Sequence, residues 1–336
     1  MLKARARITL NGFVLHYLNH FDYKGYVGGT TRLKLTQGSL KSIPFPLPSL
    51  PEQKRIVAKL DTLFAHLDQL KSRLEKIPGL LKQFRQAVLT QAVTGKLTEE
   101  WRGNRSLEKW KDSKLNDLIV KIEAGKNFTC PEIPVTKDTI GLVKISAVTW
   151  DKFDAKETKT VADQSQVKER YFIKKGDFLI SRANTIELVG SSVIVNDIKY
   201  RIMISDKVWR VQFSNEETKH FVHRFLKSNI GRREIESRAT GNQMSMRNLS
   251  QDNFRDINIC VPPLDEQREI INRVESLFAI ADRLKASYRT LQEKIYQLPQ
   301  AILSKAFRGE LVAQEMEGEL KKYNEQLGEM EMAAEG

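Results

Sequence analysis

The chain has little cysteine, no long apolar run and no catalytic signature. Only Cys130 and Cys260 occur in 336 residues. Two thiols so far apart form neither a zinc motif nor a disulfide framework, and the usage suits a reducing cytoplasm. No stretch of about 18 apolar residues is present, so no transmembrane helix is expected. The basic N-terminus (Lys3, Arg5, Arg7) is followed by Asn11, His16 and Asn19, which interrupt any signal-peptide core. The pairs His16/His20 and His220/His223 have helical spacing but lack Cys or carboxylate partners at metal-site spacing, so they are read as ordinary side chains. Pro262-Pro263 is the only Pro-Pro and is not followed by an aromatic, which removes the amino-methyltransferase motif. Gly95-Lys96 and Gly125-Lys126 are followed by Leu97 and Asn127, not by the Ser/Thr of a phosphate loop. Glu157-Thr-Lys159 imitates a nuclease triplet, but such triplets arise by chance in a chain that is 29% charged. The expectation is a non-enzyme without cofactor or metal.

Positive charge is abundant. The net charge is +13, and Gln314 to Gly336 carries seven Glu against two Lys. Removing that −5 leaves +18 on the remainder, which favours a polyanion partner, nucleic acid first. A merely soluble basic protein is the bland alternative.

An internal repeat organises the chain. Residues 48–97 align without a gap to 262–311 at an offset of 214, with 18 identities in 50 positions. Each copy carries a heptad seam: Ile56, Leu60, Leu63, Leu67, Leu70 and Leu74 in the first, Ile270, Val274, Leu277, Ala281, Leu284, Tyr288 and Leu291 in the second. Steps of four and three keep an apolar stripe facing one partner helix. The two copies are expected to bury their seams on each other as a coiled coil. The heptads alone leave parallel and antiparallel open, and the antiparallel pair is taken forward. Each helix packing on its own domain is the competing arrangement. Ser49 with Glu52 forms a capping-box pattern, and Asp265 is a candidate N-cap. Pro78-Gly79 and Pro299 are expected to break or kink the helices, and Gly95 and Gly309 to cap them.

Between the repeats the pattern changes to short β-rich runs. Strands are expected at Gly141–Ser146, Tyr171–Ile173, Phe178–Ser181, Ser191–Val195 and Val208–Phe213, with a helix over His220–Ser237. The fold class is therefore α+β: one α/β domain flanked by two long helices. Trp101–Ser106 reads as a polar linker.

Four stretches together resemble type I restriction–modification specificity subunits. They are Pro46-Leu-Pro-Ser-Leu-Pro-Glu-Gln53 with its counterpart Val261-Pro-Pro-Leu-Asp-Glu-Gln267; Phe84–Leu89 through Thr94–Leu97 to Glu100–Arg102; Lys175–Arg182; and Arg238–Gln243 followed by Asn248–Ser250. The resemblance implies a sequence-specific DNA-recognition subunit that does no chemistry. Its partners would be double-stranded DNA, methyltransferase (modification) subunits and restriction subunits. It also implies the layout: 1–47 a remnant of a first target-recognition domain, 48–106 a first helical region, 107–262 a target-recognition domain, 263–313 a second helical region and 314–336 an acidic tail. His16–Leu18 and Leu35–Gln37 look like the end of the first domain, paralleling His223–Phe225 and Leu249–Gln251.

DNA binding needs cations for phosphates and forked donors or acceptors for base edges. Two loops offer both: Arg182, Asn184 and Thr185 in one, Thr240, Asn242, Gln243, Ser245 and Arg247 in the other. Lys144 and Arg201 are further phosphate candidates, each equally readable as a solvated cation. Two other readings are kept: a half-subunit that self-dimerises through the coiled coil, and an adaptor that binds the modification subunit without specific DNA recognition.

Overall fold

The computed structural model describes residues 8–29, 32–103, 109–243 and 245–312. The acidic tail, the far half of the expected linker and Lys3, Arg5 and Arg7 lie outside them. The chain divides into two compact units, 1–78 with 284–336, and 79–283.

The first unit begins with α1 (Asn11–His20), a short hairpin of β1 (Val27–Gly28) and β2 (Lys34–Leu35), and α2 (Gln37–Lys41). The first repeat helix, α3 (Leu50–Glu75), follows. Its N-cap behaves as expected, with the Ser49 side chain accepting from the Glu52 amide. α3 gives way to α4 (Ile77–Val93) at Lys76, two residues before Pro78. The ring of Pro78 is tolerated there because the first amides of a helix have no internal partner.

Within this unit the apolar side chains form two clusters. Phe13, Ile56 and Leu60 pack with Leu303 and Ala306, and Leu67 and Leu74 pack with Ile295. The heptad pattern is only half buried. Ile56, Leu60, Leu67 and Leu74 are covered, while Leu63 is half-buried and Leu70 is 45% exposed. On the partner segment Tyr288 joins a cluster, but Leu284 and Leu291 are 54% and 46% exposed. A straight helix drifts by about 20° per heptad against a 3.5 repeat, so one contact line is kept inward and the other turns toward water.

The second unit opens with the rest of α4, then α5 (Glu99–Arg102), β3 (Lys111–Lys114), α6 (Leu115–Leu118) and β4 (Ile119–Ala124). It continues through β5 (Ile140–Val143), α7 (Ser146–Thr149), β6 (Thr158–Thr160), β7 (Phe178–Ser181), β8 (Ala183–Asn184), β9 (Ser192–Ile194), β10 (Arg201–Met203) and β11 (Val208–Phe213). Then come α8 (Glu216–Lys227), α9 (Asn229–Arg238), β12 (Thr240–Gln243), β13 (Met246–Asn248), α10 (Gln251–Arg255), β14 (Asn258–Val261) and α11 (Leu264–Phe307), which runs on into the first unit.

A four-stranded sheet ordered β4-β11-β7-β9 forms the centre, with α8 across it through Phe221, Val222 and Phe225. A second sheet, β10-β5-β6, has its own core around Leu142, Ile202 and Met203. Four expectations are revised. Tyr171–Ile173 is not a strand but a short 3-10 turn followed by a bridge of Phe172 to Met203. The single helix expected over 220–237 is two, because the Ser228 hydroxyl caps a new start by accepting from Gly231. α11 continues through Pro299 rather than breaking. Asp265 sits inside its first turn, not at the cap. Gly95 and Gly309 do adopt left-handed φ of 74° and 76°, as C-terminal caps require.

The repeat extends beyond the helices. In the first unit Gln53 accepts from the Thr9 hydroxyl at 2.8 Å and donates to the Pro48 carbonyl at 2.9 Å. In the second, Gln267 accepts from the Thr218 hydroxyl at 3.1 Å and donates to the Pro262 carbonyl at 2.8 Å. His16 meets Asp61 at 3.0 Å, and Arg224 meets Glu275 at 3.2 Å. Thus α1 is held on α3 as α8 is held on the start of α11. Among the described residues, no helix is long and apolar enough to cross a membrane.

Candidate nucleic-acid interface

The two loops singled out in the sequence lie about 60 residues apart in the chain but share one small sheet. β8 pairs with β13, Asn184 opposite Arg247 and Ala183 opposite Asn248, and β13 pairs with β12. The Leu249 amide donates to the Arg182 carbonyl at 2.8 Å, closing the junction.

Local chemistry fixes both loops. Gly241 has φ +133°, and a Cβ built there meets the Met246 carbonyl oxygen at 2.6 Å, so only glycine lets the β12–β13 strands approach. Arg247 donates to the carbonyls of Gly241, at 2.5 Å, and Ala239. Its guanidinium is committed to shaping the hairpin. The other loop turns through Thr185, whose carbonyl accepts from Leu188 and Val189. Arg232 pins that turn by donating to the Ile186 and Val189 carbonyls at 3.2 and 2.5 Å. Burial first, offset by Glu236, holds the Arg232 guanidinium below its ordinary pKa.

The side chains left over are neutral forks. Thr240, Asn242, Gln243 and Ser245 are all exposed. The Thr240 hydroxyl donates to the Asn248 carbonyl at 3.3 Å, which steadies the strand. Asn184 is half-buried; its Oδ1 accepts from the Thr185 amide at 2.9 Å, and its Nδ2 donates to Thr149 Oγ1 at 3.5 Å. Arg182 is half-buried beside them, its Nε buried without a partner among the described residues. Asn and Gln amides suit the paired donor and acceptor of an adenine edge.

Lys144 and Arg201 are not brought to this sheet. Both stand on or beside β10-β5-β6 and face carboxylates, Lys144 with Glu132 at 3.2 Å and Arg201 with Glu169 at 3.2 Å. Arg201 also lies over the Phe172 ring at 4.7 Å. The Lys174–Asp177 turn proves to be scaffold: Asp177 accepts from the Lys174 amide and from Arg210, which also reaches Glu123. Those two carboxylates hold Arg210 charged despite its burial.

Sequence reasoning missed Trp150 and Met246. Met246 is 65% exposed on β13, and Trp150 is 67% exposed immediately after Thr149, the residue that touches Asn184. The available signal was a lone tryptophan in the polar run Thr149-Trp-Asp-Lys152, without periodic apolar neighbours to claim it for a core.

A family model described as the type I restriction modification DNA specificity domain matches residues 3–78 and 107–293. The EcoKI type I restriction enzyme specificity subunit of Escherichia coli K12 is 30% identical over 317 residues, covering 92% of this chain and 67% of its own length. The StySPI specificity subunit of Salmonella potsdam is 30% identical over 308 residues, covering 90% and 66%. The chain thus spans about two thirds of the length of these curated relatives. Among solved structures, the HsdS subunit of Thermoanaerobacter tengcongensis aligns with a TM-score of 0.58 at 20% identity, covering 92% of this chain and 73% of that one. A chain from a study of complex assembly in a type I restriction–modification system gives 0.61, also at 20% identity, covering 92% and 74%. At that identity these structures speak for the fold alone.

Proposed function

The chain belongs to the type I restriction–modification DNA specificity family, and on that premise we propose that it reads one half-site of duplex DNA and positions methyltransferase subunits there, with no chemistry of its own. One observation carries the reading: two loops distant in sequence meet in the β12-β13-β8 sheet, which presents the exposed side chains of Asn242 and Gln243 without partners among the described residues. A rigid backbone with free amide forks is what direct base readout needs. Residues 107–262 form the recognition domain in this reading, and the repeat helices pair antiparallel as a coiled-coil spacer. The clusters of Leu67 and Leu74 with Ile295, and of Leu60 with Leu303, support that pairing. Their order along the two helices runs in opposite directions. The exposed line of Leu70, Leu284 and Leu291 is then the surface offered to modification subunits, with restriction subunits joining the complex. A cytoplasmic location follows from such partners.

The test is methylome sequencing of cells carrying this chain with its modification subunit. Asn242→Ala with Gln243→Ala should weaken discrimination by about 1–3 kcal/mol for each base pairing that the substitutions abolish. A methylation motif unchanged in the double variant refutes the assignment. Binding of the wild-type complex without preference among sequences would instead favour the adaptor reading.

A further inference from the structure

We propose that the acidic stretch 315–320 of this chain docks as a third strand on the open edge of β2 and covers Arg32 and Lys34. The contact goes beyond the DNA reading and does not depend on base readout at β12–β13.

The receiving surface is cationic and incompletely paired. From Phe21 to Leu50 the cations Lys24, Arg32, Lys34 and Lys41 meet a single acid, Asp22. All four are exposed, and their side chains have no carboxylate partner among the described residues. β2 pairs with β1 and with no other described strand, which leaves one of its edges open. Arg32-Leu33-Lys34-Leu35 alternates cation and leucine, and an extended backbone puts the two kinds on opposite sides. Leu33 is 74% exposed and Leu35 40%. An open edge with unburied apolar side chains is a template for another extended segment.

Segment 314–336 carries the matching pattern. It holds seven Glu against two Lys. In Glu315-Met316-Glu317-Gly318-Glu319-Leu320 every second residue is an acid. Laid beside β2, this stretch sets carboxylates against Arg32 and Lys34 and puts Met316 and Leu320 on the side of Leu33 and Leu35.

The chain brings the two together. The end of α11 and the β1–β2 hairpin belong to the same compact unit. The Phe307 ring lies 5.1 Å from Tyr17, Tyr17 lies 5.8 Å from Phe21, and Phe21 lies 5.1 Å from Tyr26, the residue before β1. Leu311 and Val312 pack on the Phe13–Ile56 cluster beside them. Glu315, Glu317 and Glu319 follow Val312 by three to seven residues. At about 3.3–3.6 Å per extended residue they reach about 10–25 Å from it, a span of the same order as those ring contacts. A polyanion approaching Arg32 and Lys34 must displace these glutamates, which act as a competitor held on the chain itself.

Carbodiimide coupling of the full chain, followed by peptide mass mapping, joins amines only to carboxylates they touch. Lys34 should couple to Glu315, Glu317 or Glu319 within one chain, and Lys59, exposed on α3, to none of them. A mixed-sequence DNA duplex or high salt should suppress the Lys34 product. Glu315→Gln with Glu317→Gln and Glu319→Gln should tighten duplex binding about 2- to 30-fold, the worth of two exposed ion pairs. Glu329→Gln with Glu331→Gln and Glu335→Gln removes the same charge and should change binding far less. Absence of the Lys34 product, equal coupling of Lys59, or equal tightening in both variants overturns the proposal. A Lys34 link found only in a product of twice the chain mass assigns the strand to a second copy and overturns it as well. Failure of the DNA reading registers separately, as loss of sequence preference with the Lys34 coupling intact.

Discussion

Replacing Glu266 by alanine should be among the most damaging single changes in the second unit. The carboxylate is 3% exposed at the start of α11. It accepts from Arg102 at 2.5 Å, Thr98 at 2.7 Å and the Trp110 indole at 2.9 Å. Arg102 is itself 9% exposed, and its second donor goes to the Gly95 carbonyl at 3.1 Å. Glu266→Ala removes the charged acceptor shared by the buried donors of Arg102, Thr98 and Trp110, and removing one partner of a buried ion pair typically costs about 3–5 kcal/mol. For a unit of 79–283, about 2–4 °C per kcal/mol translates to a fall in Tm of about 6–20 °C. Urea and thermal melts followed by tryptophan fluorescence measure it directly, since Trp110 is part of the cluster. The repeat supplies an internal control. Glu52 stands 214 positions earlier, but its carboxylate has no hydrogen-bond or ion-pair partner among the described residues, so Glu52→Ala should cost under about 1 kcal/mol. Arg102→Met with Glu266→Leu should recover the part of the loss due to the buried charge, while the Thr98 hydroxyl and the Trp110 indole still lack this acceptor. Equal destabilisation at Glu52 and Glu266, or no recovery in the double variant, refutes the reasoning.

Two further outcomes follow from titratable groups. Burial first, then the nearby Lys227 and Arg224, push the His223 imidazole well below its ordinary pKa, and the Arg224 guanidinium donates to Nδ1 at 2.9 Å. The unfolded chain therefore binds the extra proton, and stability present above about pH 6.5 is lost on acidification at up to about 1.4 kcal/mol per pH unit. Urea melts from pH 7.5 to 5 should show a shallower decline for His223→Gln, and parallel slopes would count against it. Burial, reinforced by Asp112, pushes the Cys260 thiol up to about 11. Iodoacetamide at pH 8 should modify it about 100-fold more slowly than an ordinary thiol near 9, a gap that closes on denaturation and would be disproved by fast labelling of the folded chain.

What was legible in the sequence was whatever depends on local spacing. The repeat, the Ser49 cap, the left-handed glycines and β11 could be read because capping, turn chemistry and alternation act over a few residues. The Asn184–Arg247 pairing could not, since no local pattern says which edge β8 finds. Nor could the fate of Arg247. An arginine in an Asn/Gln-rich loop reads as a base contact until its donors are seen on the Gly241 and Ala239 carbonyls. Nor could the carboxylates beside Lys144 and Arg201, since Glu132 and Glu169 stand 12 and 32 residues away in the chain. Proline rules failed at Pro299 because the removal of one amide in a 44-residue helix is outweighed by packing on both sides, with Ile295 and Leu303 buried.

Duplication kept the letters of the repeat while the surroundings assigned them different work. Leu67 and Ala281 are equivalent positions, both buried, and the difference in size shows that the two helices do not present the same surface to their neighbours. Leu70 and Leu284 are identical and equivalent, and both face water. An isolated exposed leucine needs no explanation, but a line with heptad spacing does, since a polar residue would satisfy the helix equally well. Apolar residues at these positions have a physical use only if something covers them. In the proposed assembly the partly filled seam connects the repeat to its partners: Leu60, Leu67 and Leu74 pack within the chain, and the line of Leu70, Leu284 and Leu291 is the one offered to modification subunits.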